Sequence, residues 1–300
     1  MYAYWFYALV AFGCALTCLT SRGFRKWVWR TISGKCELQR ILDGNREGCR
    51  RTLALERSLS SSKDPVLSSN LRNLSLDSYV DYAMQIKRIK AASNFADAFG
   101  LAVAQIRGYQ SLCEECEHLR STAFNASDER HLNILRGLWK YLIPSEAFQL
   151  VSKRWADIGF QGTCPDTDFR GMGLLGALNL LYFAESHTAL ARGILSASVL
   201  STSSYPFAIV GISLTDLLRK WLRDGELKCH FYNYVRDAPT LNDFHFAYVC
   251  LFSEFHTFWM SEPRDIMQFN AYRREFDVAL ESRIRSKDFV FKIVPLQDSK

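Results

Sequence analysis

Residues 155–183 read WADIGFQGTCPDTDFRGMGLLGALNLLYF and join a turn-rich half to an apolar half. The first half contains several glycines, Pro165 and a Thr-Asp pair, which are typical of turns. The second half places Leu174, Leu178 and Leu181 at helical spacing. The stretch therefore predicts a loop that runs straight into an apolar helix.

Arg170 is the only basic residue in this stretch. It lies between Phe169 and Gly171, and a single cation in such a loop suggests a side chain placed to meet an anionic target. A structural interpretation remains open, because loop arginines commonly bond carbonyl groups at a helix end or pair with a carboxylate such as Asp166.

Gly171, Gly173 and Gly176 spell G-x-G-x-x-G, the fingerprint of dinucleotide-binding folds. That fingerprint needs a buried strand before the glycines and an acidic residue about 20 positions later. Here a turn precedes the glycines, and residues 195–197 are Leu-Ser-Ala. We therefore attribute the glycines to backbone freedom and close helix packing.

The spacing W-x3-GFQ-x3-P-x-TDFRG-x-G-x-LG-x3-L-x2-F resembles the signature of the ELMO (engulfment and cell motility) domain. GKCELQRI at 34–41 resembles the N-terminal extension of the ELMOD proteins, in particular the branch with a short hydrophobic N-terminus. PRDIMQFNAYRREF at 263–276 resembles the C-terminal region of the ELMO domain, so the resemblance covers about residues 34–290. In the ELMOD branch, the arginine of this motif activates Arf-family GTPases, and that role falls on Arg170.

The resemblance implies a GTPase-activating protein for Arf or Arf-like small GTPases in their GTP form. Such a chain is no enzyme in its own right and binds no metal or cofactor, because GTP and Mg²⁺ belong to the partner. The alternative is a non-catalytic ELMO-type interaction module, or an effector that binds a GTPase without stimulating hydrolysis. The supporting motif residues are Trp155, Gly159, Phe160, Gln161, Pro165, Thr167, Asp168, Gly171, Gly173 and Gly176.

The helical periodicity of the remaining chain predicts an all-α fold, since no long period-2 run is present. We expect one compact multi-helix ELMO-type domain over 71–300, after a Ser-rich surface connection at 58–70. Within it, Asp77 is expected to cap a helical stretch over 77–120, and Ser145 to cap the helix that leads to Trp155.

The N-terminus reads as a hydrophobic helix followed by a basic collar. Residues 1–21 contain no charged side chain, and a run of this length is just long enough to cross a bilayer. Residues 22–57 carry ten basic and four acidic side chains, the whole net charge of +6. Because these charges follow the apolar run, we expect the chain to be anchored in an intracellular membrane, that of the endoplasmic reticulum or another endomembrane, with residues 22–300 in the cytosol.

Three other classes of function are disfavoured. A nucleic-acid protein would carry its basic face on the folded domain, and here the excess lies in the collar. Cys113 and Cys116 lack a second pair at zinc spacing. His245 and His256 have no partner acid at metal spacing and are expected in the core or at its rim.

Overall fold

A computed structural model describes residues 22–44, 48–69, 73–90 and 94–296. The predicted all-α class is confirmed, because the structure within these ranges is helical and holds no strand. The α-helices are α1 Arg22–Ser33, α2 Glu37–Asp43, α3 Gly48–Ser60, α4 Pro65–Ser69, α5 Leu76–Lys87, α6 Phe95–Ser121, α7 Glu129–Leu142, α8 Gly173–Ser186, α9 Thr188–Leu200, α10 Phe207–Arg223, α11 Lys228–Tyr234, α12 Leu241–Met260 and α13 Phe269–Ile284. Short 3-10 helices cover Lys153–Ile158, Pro165–Arg170 and Ile266–Gln268.

The hydrophobic segment predicted at 1–21 lies outside the described residues. Within the ranges that the structure does describe, none of the helices is both long and apolar enough to cross a bilayer.

The chain divides into two compact units, and the first ends at Ala104 while the second begins at Gln105, inside α6. The sequence placed the start of the helical domain at 71 instead. Periodicity alone could not show this division, because α6 continues as one 27-residue helix across it.

In the first unit, α3 packs against α2 and α4. The Ser-rich stretch expected as a surface connection is therefore part of a helical layer, with Leu59 and Leu67 buried. The Tyr79 hydroxyl donates to the Leu67 carbonyl at 2.9 Å and ties α5 to α4. The serines misled the prediction because their hydroxyls bond helix carbonyls, as Ser61 does with Arg57.

Two predicted helix caps are wrong. Ser75, not Asp77, caps α5, because its side chain accepts the amide hydrogen of Ser78, and Asp77 lies in the first turn. No helix begins at Ser145. That segment is irregular, and Ser152 instead caps the short 3-10 helix that contains Trp155.

In the second unit, α8 lies at the centre and packs against α7, α9, α10 and α12. The sequence explains this position, because α8 is apolar almost all the way round and such helices are buried. One polar network crosses the packing: Asn179 donates to Thr215 Oγ1 at 3.0 Å and lies 2.6 Å from His245 Nδ1. This network ties α8 to α10 and α12, and it satisfies both the nitrogen and the oxygen of the buried Asn179 amide.

Candidate functional site

The site lies in the segment that precedes α8, and Trp155 anchors its first turn. Its ring is fully buried and packs edge-to-face on Trp139 at 5.0 Å and on Phe160 at 5.6 Å. Its Nε1 donates to the carbonyls of Gln149 and Leu150. The sequence motif therefore begins at a point that the core of the second unit holds fixed.

Gly159 joins this turn to the start of α10. Its φ of +88° is left-handed, and a Cβ there would lie 2.4 Å from the amide nitrogen of Phe207. Its carbonyl accepts the Ile209 amide at 3.4 Å. Only glycine satisfies both the backbone angle and this close approach, so the motif requires it here.

We call residues 159–171 the arginine loop, and Asp168 braces it from within. Its carboxylate accepts the Gln161 amide hydrogen at 2.7 Å, which closes the loop across seven residues. Burial raises the pKa of Asp168, and the bond from Gln161 opposes that shift. Neither Thr167 nor Asp168 caps α8, because Met172 occupies the N-cap position and supplies no side-chain bond.

Two apolar side chains fasten the second half of the loop. Pro165 is buried at the first position of its 3-10 helix, where the missing amide hydrogen costs nothing. Phe169 is fully buried and packs on Phe124 at 4.9 Å and Phe160 at 5.6 Å. The residue directly before Arg170 is therefore locked into the core.

Arg170 itself takes no part in these contacts. Its side chain is exposed, and within the part of the chain that the structure describes its guanidinium makes no hydrogen bond or ion pair. Asp166, the predicted structural partner, instead accepts the Thr167 amide at 2.7 Å. By contrast, Arg154 pairs with two carboxylates, those of Glu146 and Asp157. The structural interpretation of Arg170 thus finds no support in the contacts.

Arg170 opens onto a shallow cleft of about 460 Å³, which we call the arginine cleft. One wall is the arginine loop, and the other is a half-buried face of α10. The lining residues are Gln161, Thr167, Asp168, Arg170, Ile209, Ile212 and Ser213.

The sequence missed the α10 wall. Ile209, Ile212 and Ser213 are half-buried and share one face, while their neighbours on α10 point into the core. Their i, i+3, i+4 spacing was readable, but any amphipathic helix shows it. Only the bond from Ile209 to Gly159 reveals that this face meets the loop.

Comparison with known proteins identifies the family to which this chain belongs. The sequence model of the ELMO/CED-12 family matches residues 114–273. ELMO domain-containing protein 2 of Mus musculus and of Homo sapiens are each 41% identical over 261 residues, covering 85% of this chain and 89% of each relative. The chain belongs to the ELMO/CED-12 family. ELMO domain-containing protein 1 of Bos taurus is 39% identical over 286 residues, or 88% of both chains.

These matches confirm the resemblance to the ELMOD branch. The family match contains the whole arginine loop and both walls of the arginine cleft, and the relatives extend over most of the first unit as well. No solved structure matches the chain.

The glycines of the ELMO motif have separate structural tasks. Gly173 has a φ of +51°, and a Cβ there would lie 2.4 Å from the carbonyl oxygens of Arg120 and Thr122, so it lets α6 approach the start of α8. Gly176 packs against Met172. Gly171 is exposed with open space around it, so it leaves room beside Arg170 for another surface.

The histidines and cysteines form no cluster with acids that would suit a metal, within the ranges that the structure describes. The prediction that His245 and His256 lie in the core is confirmed, because both are buried and His256 Nδ1 lies 2.8 Å from the Tyr205 hydroxyl. Burial lowers the pKa of each to about 4, so both are neutral at physiological pH.

Proposed function

We propose that this ELMO-family chain is a GTPase-activating protein for an Arf or Arf-like small GTPase, and that Arg170 is the residue inserted into the partner. The single observation that carries the proposal is an exposed, unpaired guanidinium on a loop that is otherwise tied down. GTP and Mg²⁺ come with the partner, and this chain contributes no cofactor.

Hydrolysis on small GTPases is slow because negative charge develops on the phosphoryl oxygens with too little compensation nearby. An arginine from a partner supplies the compensating positive charge and excludes water. It serves best when little has to reorganise on contact. The bond from Gln161 to Asp168 and the burial of Phe169 hold the backbone of Arg170 in place, so only its side chain has to move.

The arginine cleft supports a docking role for the surface around the arginine. Ile209 and Ile212 offer half-buried apolar surface on α10, and Thr167 and the exposed Gln161 offer polar groups on the loop. An apolar centre with a polar rim is the usual composition of a protein interface. We propose that a switch region of the GTPase lies in this cleft while Arg170 reaches the nucleotide.

We further propose that residues 1–21 hold the chain on an intracellular membrane, endoplasmic reticulum or other endomembrane, with the rest in the cytosol. The uncharged run and the basic residues that follow it support this placement. Arf-type partners would then meet the chain at a membrane surface.

Single-turnover GTP hydrolysis against a panel of Arf and Arf-like proteins tests the activity, with Arg170→Lys as the decisive variant. Lysine keeps the charge and loses the planar fork that contacts two oxygens, and arginine fingers contribute about 10³–10⁵ in rate. We expect activation to collapse while melting temperature and partner binding stay near wild type. The matched control is Arg236→Lys, an exposed arginine on the segment after α11.

Each other outcome has a definite meaning. Unchanged hydrolysis with Arg170→Lys would refute the role of this arginine. A joint loss of melting temperature and binding would show that Arg170 is a structural anchor. Tight binding of a GTP-loaded partner by the wild type, with no acceleration across the panel, would establish the effector or interaction module instead.

A further inference from the structure

The first unit contains a second cavity, of about 490 Å³, which we call the basic cavity. It lies wholly within residues 23–87, between α1 and the packed layer of α2, α3 and α4. Its size is typical of a small-molecule or lipid site. No residue of the arginine loop takes part in it.

The walls of the basic cavity are apolar. Leu38, Leu59 and Leu67 line it, and each is buried. Cys36 adds a fourth buried side chain. A purely ionic ligand gains nothing from such walls, because burying apolar surface rewards only an apolar group.

The mouth of the same cavity is cationic. Lys26, Arg30, Lys63 and Lys87 line it, with Glu37 as the lone carboxylate among the lining residues. Glu37 is already satisfied, because Lys26 Nζ lies 2.5 Å from its Oε2 and the Ser58 hydroxyl donates to the same oxygen at 2.6 Å. The cavity therefore keeps a surplus of positive charge above an apolar interior.

A further carboxylate, that of Asp64, interacts with Lys87 and offsets only part of this surplus. It accepts the Leu67 amide hydrogen and the Tyr82 hydroxyl, and these bonds together with the charge of Lys87 hold its pKa below the usual value despite partial burial. Arg30 and Lys63 are exposed and have no ion-pair partner among the residues that the structure describes.

The outer face of α1 continues this amphiphilic character. Trp27 and Ile32 are 62% and 71% exposed, and Trp27 also lines the cavity. Exposed tryptophans beside cations are typical of the headgroup region of a membrane. The uncharged residues 1–21 directly precede this helix in sequence.

We propose that the basic cavity binds one anionic phospholipid, with its charged headgroup at Arg30 and Lys63 and the start of an acyl chain against the buried leucines. The charge complementarity selects this occupant over the uncharged segment 1–21, which could fill the apolar walls but would leave the cations unmatched. The site would make the chain selective for anionic membranes, independently of any GTPase.

The test uses the full chain reconstituted in vesicles of phosphatidylcholine alone, or of phosphatidylcholine with about one-fifth phosphatidylserine. Amide hydrogen exchange is followed in the segments 26–38 and 58–67. We expect phosphatidylserine to slow exchange in both segments. Each cation near an anionic surface raises the affinity for it about fivefold. The double variant Arg30→Gln with Lys63→Gln should therefore bind phosphatidylserine about thirtyfold more weakly and lose most of this protection.

The matched control is Lys35→Gln with Arg57→Gln, which removes the same two charges from exposed sites of the first unit outside the cavity. This control should keep the protection. Equal losses in both double variants would overturn the proposal, because they would show general attraction to a charged surface. Protection that is complete in phosphatidylcholine alone would overturn it too, in favour of segment 1–21. Protection by inorganic phosphate alone would show an ion site and not a lipid site.

Discussion

Replacement of Asp168 by alanine tests whether the arginine loop is braced from within. The carboxylate accepts the Gln161 amide at 2.7 Å, and alanine removes that acceptor. A hydrogen bond to a charged group contributes about 1.5–3 kcal/mol, and the burial that raises the pKa of Asp168 offsets part of it. We therefore expect Asp168→Ala to lower the free energy of unfolding by about 1–2 kcal/mol.

Thermal unfolding measures this loss, and a unit of this size should melt roughly 2–8 °C lower. Asp168→Asn is the matched control, since it keeps an acceptor oxygen and should change stability by less than about 1 kcal/mol. The pH dependence gives the sign. Because the pKa of Asp168 is raised in the folded state, ionisation of its carboxyl opposes folding. The stability of wild type relative to Asp168→Asn should therefore increase as the pH falls through the folded pKa towards the usual value.

The same variant separates the brace from the arginine. Asp168→Ala should speed amide exchange at Gln161 and reduce GTPase activation about tenfold to a hundredfold, through misplacement of Arg170. Asp168→Asn should retain most activity. An unchanged melting temperature with an unchanged Gln161 exchange rate would refute the brace. Equal damage from alanine and asparagine would instead assign a role to the negative charge.

Three other changes have definite expected outcomes. Gly159→Ala should lower the free energy of unfolding by about 2–4 kcal/mol in a thermal or denaturant melt, because of its left-handed φ and its contact with α10. Gly162→Ala, with a φ of +76° and open space, should lower it by only about 1–2 kcal/mol. Equal effects would contradict the packing argument. Burial lowers the pKa of His230 to about 3 and of His245 to about 4. The free energy of unfolding should therefore be highest above about pH 6.5 and fall below it by up to about 1.4 kcal/mol per pH unit for each histidine. A flat stability profile from pH 7 to 5 would contradict this. Deletion of residues 1–21 should move the chain from the membrane to the soluble fraction on cell fractionation, and a full-length chain that is already soluble would refute the anchor.

The sequence predicted the helical class and the core of the motif because both depend on local patterns. The large apolar side chains that recur along the motif, Trp155, Phe160 and Phe169, are all buried. Close helix packing was also expected of Gly171, Gly173 and Gly176. The structure shows it at Gly173, whereas Gly176 lies closest to Met172 of its own helix start and Gly171 has open space around it. Spacing carries such information directly, since one turn or one helix face determines it.

Contacts between distant segments could not be predicted in the same way. The Ser-rich stretch has the composition of a loop, yet Leu59 and Leu67 draw it into a helical layer. The face of α10 that lines the arginine cleft looks like any amphipathic surface until the loop is placed beside it. Tertiary packing decides both, and a single sequence does not display it.

Arg170 differs from its neighbours in what holds it, and this difference is the strongest argument for its role. Trp155 and Phe169 are fixed by packing, Gly159 by its backbone angle, and Asp168 by the amide that it accepts. A side chain that served the fold would be satisfied in the same manner. The guanidinium of Arg170 instead has no hydrogen bond or ion pair among the described residues, although its charge lowers the pKa of Asp168 from a distance, while the backbone that carries it is fixed on both sides. A motif that fixes the backbone of its one cation and leaves the guanidinium exposed is best explained by a partner that supplies the anion.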